Sequence, residues 1–452
     1  MQEKLRINTY RSILLFLLAG WFFLGVSQAQ MQFSVELWED SREDTLLIRK
    51  FSSLRDVAMV EPLQFEGNYQ GKFKLKIRQP IDHKNPDKGT FLQTIYINHS
   101  GFDQPSVFIT EGYDASYAGF PAYENELTNY LGANQICAEH RYFGESVPEH
   151  VDWQYLTVEN SAADHHHILD ILKPLYKGKW ISTGISKGGQ TALYHRTLYP
   201  EDVDLTVAYV NPLNEGIEDG RHEPFIKQNG EEPERSQVER FQLTLLHKRD
   251  SLLPKFNRHI DEKGYTFRIS REEVFDYCVL EYSFAYWQWH PETNSIPDTG
   301  APIDEIFEHL VSFSSPDYFS EQSLTRFQPF FIQAAMQLGY YGYDTESFDS
   351  LLTIENAEGY LYKIFLPDSV CFPYDDYVNE KVREFLKNND PEIIFIYGEW
   401  DPWTASSVSL PEKQNVYKFV KPRGNHATRI ANMPDPMKNE ILMIIDRWLD
   451  SP

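Results

Sequence analysis

Basic side chains are scarce in this sequence. Its 452 residues hold 42 Lys and Arg against 67 Asp and Glu, for a formal charge of -25. No basic stripe interrupts the excess, so phosphate backbones would be repelled and nucleic acid is excluded as a partner. Cysteine is nearly absent. The three present, Cys137, Cys278 and Cys371, cannot all pair within one chain, which excludes a disulfide scaffold. Cys137 sits in an apolar run and reads as a small core residue, while a Cys278–Cys371 bridge stays open. Long hydrophobic runs are missing too. Ile13–Val26 spans 14 residues, short of the ~20 that a membrane-spanning helix needs. There is no glycine-rich phosphate loop, internal repeat or low-complexity stretch. His165-His166-His167 are consecutive, so their side chains diverge around a helix and do not converge on a metal. No metal and no cofactor are expected.

The short apolar run has the flanks of a secretory signal. Lys4, Arg6 and Arg11 precede it, and Ser27-Gln28-Ala29 supply small residues for cleavage. Residues 1–29 are therefore expected to direct export, to the periplasm or beyond, and to leave no stable membrane anchor once removed. The remainder, with 41% apolar and 15% aromatic residues in the whole chain, has ample material for one large or two ordinary domains. Its acidity favours cationic groups, such as a peptide amine, over anions.

Phe65–Ile81 and Thr90–Asn98 alternate apolar and polar residues, which predicts an antiparallel pair with one solvated face. Residues 31–62 carry no clear period. From Ser106 the pattern changes to short apolar runs separated by helical stretches: Ser106–Thr110, Gln135–Ala138, Trp180–Thr183 and Leu205–Val210. Such alternation predicts a parallel sheet with functional groups at the carboxyl ends of its strands. Residues 215–387 lose the alternation and show helical patterns at Gln237–Leu252, Arg271–Trp289, Ile303–Phe313 and Leu324–Leu338. The sheet pattern resumes at Ile393–Tyr397 and Val416–Val420 and closes on a helix over Pro436–Leu449. The expectation is an α/β-hydrolase fold with a large, mainly helical cap (215–387) inserted before the last strands, the hydrolase domain comprising 30–214 with 388–452.

Gly184-Ile185-Ser186-Lys187-Gly188 lies between a predicted strand and a predicted helix. A G-x-S-x-G sequence in that context is a nucleophile elbow, a serine on a sharp turn with glycines where a Cβ would strike the crossing backbone. Asp401 follows Ile393–Tyr397 and His426 follows Val416–Val420, each just past a strand end. The chain order Ser186, Asp401, His426 is that of α/β-hydrolase triads. Charge flow assigns the roles: His426 takes the Ser186 proton during attack and returns it to the leaving group, while Asp401 fixes the imidazole tautomer. Oxyanion donors are expected from the Lys187 amide and from Gly112 or Tyr113, in the loop after Ser106–Thr110.

Several longer motifs carry a resemblance. Ala138-Glu139-His140-Arg141-Tyr142-Phe143-Gly144-Glu145-Ser146, Gln79-Pro80-Ile81-Asp82-His83, Tyr155-Leu156-Thr157 and Asp401-Pro402-Trp403 are similar to signatures of the lysosomal Pro-Xaa carboxypeptidase and dipeptidyl peptidase family. Thr110-Glu111-Gly112-Tyr113, Ser186-Lys187-Gly188-Gly189, Gln333-Ala334-Ala335, the Leu338–Tyr343 segment and Gly424-Asn425-His426 resemble more finely the bacterial secreted tripeptidyl aminopeptidases. The resemblance spans about residues 65–450. It implies a serine peptidase acting on free peptide N-termini, often after proline, and releasing tripeptides or dipeptides. The lysosomal relatives' disulfides cannot be supplied by three cysteines. A reader of N-termini needs carboxylates for the ammonium, and Glu111, Asp114 and Glu139 stand near strand ends, Glu139 alternatively pairing with Arg141 or capping a loop. Gln333 and Trp287 are further candidates for substrate contact. Aromatic walls for proline could come from Tyr282, Trp287, Trp289, Phe330 and Tyr340. The same triad would serve an exported carboxylesterase or lipase, which would be indifferent to a substrate amine. The remaining alternative is a silent binding protein on a hydrolase scaffold.

Overall fold

The computed structural model describes residues 42–290, 296–348, 350–368, 370 and 372–450. The expected signal over residues 1–29 lies outside them, as does Cys371, so the Cys278–Cys371 pairing falls there too; among the described residues Cys137 and Cys278 are buried and not paired with each other. The chain divides into two compact units, residues 1–46 and 47–452, and of the first only the start of one helix is described.

That helix, α1 (Arg42–Ser52), precedes an antiparallel ladder of β1 (Val57–Leu63), β2 (Gly71–Pro80) and β3 (Thr90–His99). The alternation of the sequence corresponds to β2 and β3, although β2 begins only at Gly71, after a turn at Gly67 with φ +92°. β1 lies in the stretch without a readable period. It is an edge strand with no fully buried residue and a proline near its end, so burial imposed no alternation on it.

The chain then alternates: β4 (Ser106–Thr110), α2 (Glu126–Leu131), β5 (Asn134–Ala138), α3 (Val158–Leu172), β6 (Trp180–Ile185), α4 (Lys187–Leu198) and β7 (Leu205–Tyr209). A largely helical insertion follows, with β8 (Glu218–Asp219), α5 (His222–Gln228), α6 (Glu232–His247), α7 (Arg249–Lys263), α8 (Arg271–Trp289), α9 (Ile303–Phe313), α10 (Glu321–Gln333), β9 (Tyr340–Tyr341) and α11 (Tyr377–Asn388). The chain returns to the sheet with β10 (Ile393–Gly398) and β11 (Val416–Lys421) and ends on α12 (Asp435–Leu449). Nine strands run in the order β1-β2-β3-β5-β4-β6-β7-β10-β11, and the last six are mutually parallel.

Period-two burial sorts the parallel strands between two layers of helices. Val107, Ile109, Val207, Ile394 and Ile396 pack with Leu127 of α2 and with Ile441 and Ile445 of α12. Phe108 and Ile136 turn the other way, onto Ile168 and Leu169 of α3. Ala208, Ile393 and Phe395 face Leu193 of α4 and Val382 of α11. Strands covered on both faces must be apolar throughout, which is why each read as a short unbroken run. This is an α/β-hydrolase fold with a helical insertion between β7 and β10.

Within the insertion, α8 has the bounds the sequence predicts. Ser270 caps it reciprocally with Glu273, and its apolar residues surround the helix because it is buried on nearly every side. The expected helix Gln237–Leu252 is instead two helices that break at Lys248. Just past the break the Arg249 guanidinium pairs with Asp276 of α8 and donates to the Leu351 carbonyl at 2.9 Å. The expected helix Leu324–Leu338 becomes α10 followed by a wider π turn over Ala334–Leu338.

Candidate active site

The turn after β6 forces Ser186 to φ 58°, ψ -124°, a conformation that costs a residue with a Cβ of order 1–3 kcal/mol. Crossing backbones hold it there. A Cβ on Gly184 would collide with the Gly188 carbonyl, and one on Gly188 would meet the Thr110 carbonyl at 2.8 Å. The Ser186 N–H donates to the Tyr209 carbonyl at 2.8 Å, tying the elbow to β7. α4 starts at once with Lys187, and no side chain caps it, so its first N–H groups are free for a ligand.

Strand register brings the other two residues to the same edge. Ile185 of β6 and Ile396 of β10 both face Tyr209 of β7, and Gly398 of β10 faces Lys421 of β11. Asp401 leaves β10 three residues past Gly398, and His426 leaves β11 five residues past Lys421. Asp401 is fully buried: one oxygen accepts the Trp403 N–H at 3.2 Å, the other bonds His426 Nδ1 at 2.7 Å. The His426 backbone is held from both sides, its N–H donating to the Gln288 carbonyl of α8 at 3.0 Å and its carbonyl accepting from Arg429 at 3.1 Å. Trp289 lies edge-on to the ring at 5.6 Å. Among the described residues Ser186 and His426 are not hydrogen-bonded to each other; contacts of this kind commonly tighten only with substrate.

Ser186 opens into a cavity of about 20 Å3 bounded by Tyr113, Lys187, Gln190, Pro212, Asn214, Phe330, Leu338, Gly339, Tyr340 and Trp403. The loop after β4 reaches it through Tyr113, and Gly112 packs so tightly on Lys187 that a Cβ there would meet the Lys187 Cβ at 2.7 Å. The Lys187 side chain is buried, its Nζ donating to the Gly112 carbonyl at 2.6 Å and lying 5.4 Å from the Tyr113 ring centre and 5.3 Å from that of Phe143. Burial holds this amine well below the usual lysine range, against the opposing pull of Glu111.

The sequence matches the PS-10 peptidase S37 family over residues 46–450. The chain belongs to the S37 peptidase family. It is a serine-type hydrolase of peptide bonds. The prolyl tri/tetrapeptidyl aminopeptidase of Streptomyces mobaraensis is 32% identical over 393 residues, covering 85% of this chain and 81% of that protein. The lysosomal Pro-X carboxypeptidase of Bos taurus is 30% identical over 155 residues, 30% of this chain and 31% of that one. Among solved structures, a proline iminopeptidase of Mycobacterium smegmatis aligns over 83% of this chain and 98% of its own, with 10% identity and a TM-score of 0.38.

In this S37 peptidase the three carboxylates expected near the substrate amine are engaged by the protein itself. Glu139 accepts from the N–H groups of Ala115 (3.2 Å) and Glu145 (2.9 Å) and from the Ser146 hydroxyl (2.6 Å). Of its two alternative roles it takes the loop cap and not the pair with Arg141, which forms a fork with Asp164 instead, Nε to Oδ2 at 2.6 Å and Nη2 to Oδ1 at 2.7 Å. Asp114 accepts from the N–H and hydroxyl of Ser116. Glu111 accepts from the Tyr117 hydroxyl, and burial lifts its carboxyl to about 7. Gln333 borders a separate void of about 10 Å3 beside Lys187. Trp287 and Tyr282 are core residues of the insertion, Trp287 stacked on His290 at 5.4 Å. Of the expected aromatic walls, Phe330 and Tyr340 border the Ser186 cavity and Trp289 meets His426.

The signature segments have a structural meaning. Arg141 also donates to the carbonyls of Pro80 (3.2 Å), Ile81 (2.9 Å) and Tyr155 (2.9 Å), so three motifs meet at one buried guanidinium. Burial alone would raise the Asp164 pKa, but the charge and bonds of Arg141, together with His83 at 2.7 Å, hold it below the usual range. The histidine triplet scatters: His165 is buried, His166 bonds Asp202 and His167 bonds Gln79, each at 2.8 Å. Sequence reading missed Gln190, Asn214 and Trp403 as cavity walls. Trp403 was visible as part of Asp-Pro-Trp, and Gln190 stands one helical turn past Ser186. Asn214 carried no signal.

Proposed function

We propose that this peptidase releases tripeptides, or alternatively dipeptides, from free peptide N-termini through an acyl-enzyme on Ser186, favouring proline at the scissile position. The observation that carries the reading is the buried Asp401–His426 pair at 2.7 Å, on the sheet edge where Ser186 is held at φ 58°. The name of the Streptomyces relative supports the substrate class.

The substrate carbonyl sits over Ser186. His426 Nε2 removes the hydroxyl proton as Oγ bonds to the carbonyl carbon, and the C=O electron pair moves to the oxygen. The positive imidazolium faces buried Asp401. His426 then protonates the departing amine, the C–N bond breaks, and water repeats the sequence to free the peptide acid and restore Ser186. The oxyanion accepts from the Lys187 and Tyr113 N–H groups. Tyr113 is preferred to Gly112 because it borders the Ser186 cavity. The Gly112 carbonyl, anchored by Lys187 Nζ, points opposite to the Tyr113 N–H in the same planar peptide unit.

The helical insertion between β7 and β10 acts as the roof of this site, and the carboxyl ends of β4, β6, β7, β10 and β11 as its floor. Phe330 and Tyr340 of the roof border the cavity at Ser186. Export follows from residues 1–29. Mass spectrometry of a defined peptide with proline at its third position tests the reading. Release of the N-terminal tripeptide, abolished by N-acetylation, is expected; cleavage indifferent to acetylation, or none, contradicts it.

A further inference from the structure

If free N-termini are read, as proposed above, some group must bind an ammonium; Glu139, Asp114 and Glu111 accept from groups of the loops after β4 and β5. A fourth stands in the insertion. Glu281 lies in the middle of α8 and keeps only 7% of its surface accessible. One oxygen, Oε2, accepts from the hydroxyls of Tyr341 and Tyr343, both at 2.8 Å. Among the described residues no lysine, arginine or histidine pairs with it. Buried carboxylates are ordinarily matched by a cation, because an unpaired charge away from water is costly. Here the protein supplies hydroxyls and aromatic rings but no positive charge.

The position of Glu281 can be measured along its helix. The Gln288 carbonyl of α8 accepts from His426, and Glu281 is seven residues earlier on the same helix, about 10 Å away at 1.5 Å per residue. An extended chain covers at most ~3.3–3.6 Å per residue. Three residues between a scissile carbonyl and an N-terminus therefore need about the same 10 Å. A shared wall joins the two places. Tyr340 borders the Ser186 cavity, bonds the Tyr318 hydroxyl at 2.6 Å and packs 4.3 Å from Tyr341, whose hydroxyl holds Glu281. Trp403, two residues past Asp401, lies 5.4 Å from Tyr341.

We propose that Glu281 is the acceptor for the substrate's N-terminal ammonium, and that its distance from the Ser186 edge sets the length of peptide released. The ring walls suit this ligand, since aromatic faces attract cations as well as apolar side chains. Burial lifts the unliganded carboxyl to about 7, against the lowering effect of the two tyrosine bonds. An arriving ammonium favours the ionised form and completes the missing pair.

The test compares a tripeptidyl p-nitroanilide bearing a free amine with its N-acetyl form, in wild type and Glu281→Gln, with fluorophosphonate labelling of Ser186 reporting an assembled site. The proposal expects Glu281→Gln to label but to lose about 100-fold in kcat/KM on the free-amine substrate, mostly through KM. The ratio between the two substrates should collapse toward one. A labelled Glu281→Gln protein that keeps the wild-type preference overturns the assignment and leaves the aminopeptidase reading standing. A wild type without preference overturns both. If Glu281→Gln does not label, Glu281→Asp decides: KM raised on the free amine alone supports the assignment, and equal changes on both substrates overturn it.

Discussion

Lys187 acts on the oxyanion site through two of its atoms. Its backbone N–H opens α4 beside Ser186, and its Nζ holds the Gly112 carbonyl at 2.6 Å, on the far side of the peptide unit that carries the Tyr113 N–H. An amine N–H donated to a carbonyl also polarises that peptide, which strengthens the N–H at its other end. Replacing Lys187 by Met leaves the backbone donor and frees the Gly112–Tyr113 unit to rotate. Misplacement of a catalytic donor by about 1 Å can cost ~100-fold, so Lys187→Met should lower kcat by about that factor with KM little changed, and Lys187→Arg should recover part of the loss. Steady-state kinetics on a tripeptidyl anilide checks this; a change confined to KM would assign Lys187 to substrate binding. Glu139 behaves differently: its oxygens hold two donors of the loop that follows β5, Glu145 and Ser146, and one of the loop that follows β4, Ala115, which makes it a tie between the two loops.

At the scale of elements, legibility followed burial. β4, β6, β7 and β10 read directly from the sequence because strands covered on both faces must be apolar throughout. α8 read to the residue because a capping box marks its start and apolar residues run to its end. β1 escaped because an edge strand with no fully buried residue has no pattern to display. The break at Lys248 escaped because the Arg249–Asp276 contact beside it lies between residues far apart in sequence. The elbow at Ser186 and the Asp401–His426 pair were legible for a related reason: each residue follows a recognisable strand end, and register brings those ends to one edge. Carboxylate choice was not legible. Position near a strand end says nothing about which hydrogen bonds a side chain has already made, and Glu281 lies in a helix whose apolar pattern concealed it.

For the whole molecule, the buried histidines dominate the response to acid. Burial holds His99 and His222 at about 4 and His165 at about 3, all below the ordinary 6.5. Below about pH 6.5 the unfolded chain binds protons that the folded chain refuses, so stability falls as pH drops toward 4. Glu111 and Glu281, both lifted to about 7, contribute in the opposite sense, favouring the folded chain at low pH and losing that contribution as pH rises from about 4.5 to 7. The histidines outnumber them. Thermal midpoints should therefore fall between pH 7 and pH 5, and fall more steeply in Glu281→Gln; calorimetry at the two pH values checks both, and a rising midpoint would contradict the balance. Hydrolysis by this protein depends on one convergence, that of Ser186 with the Asp401–His426 pair. Reaction of the purified protein with a fluorophosphonate, followed by peptide mapping, reads that convergence at the serine itself. A single adduct on Ser186, lost in His426→Ala, is expected; an adduct elsewhere, or none in folded wild-type protein, would show that Ser186 is not the nucleophile.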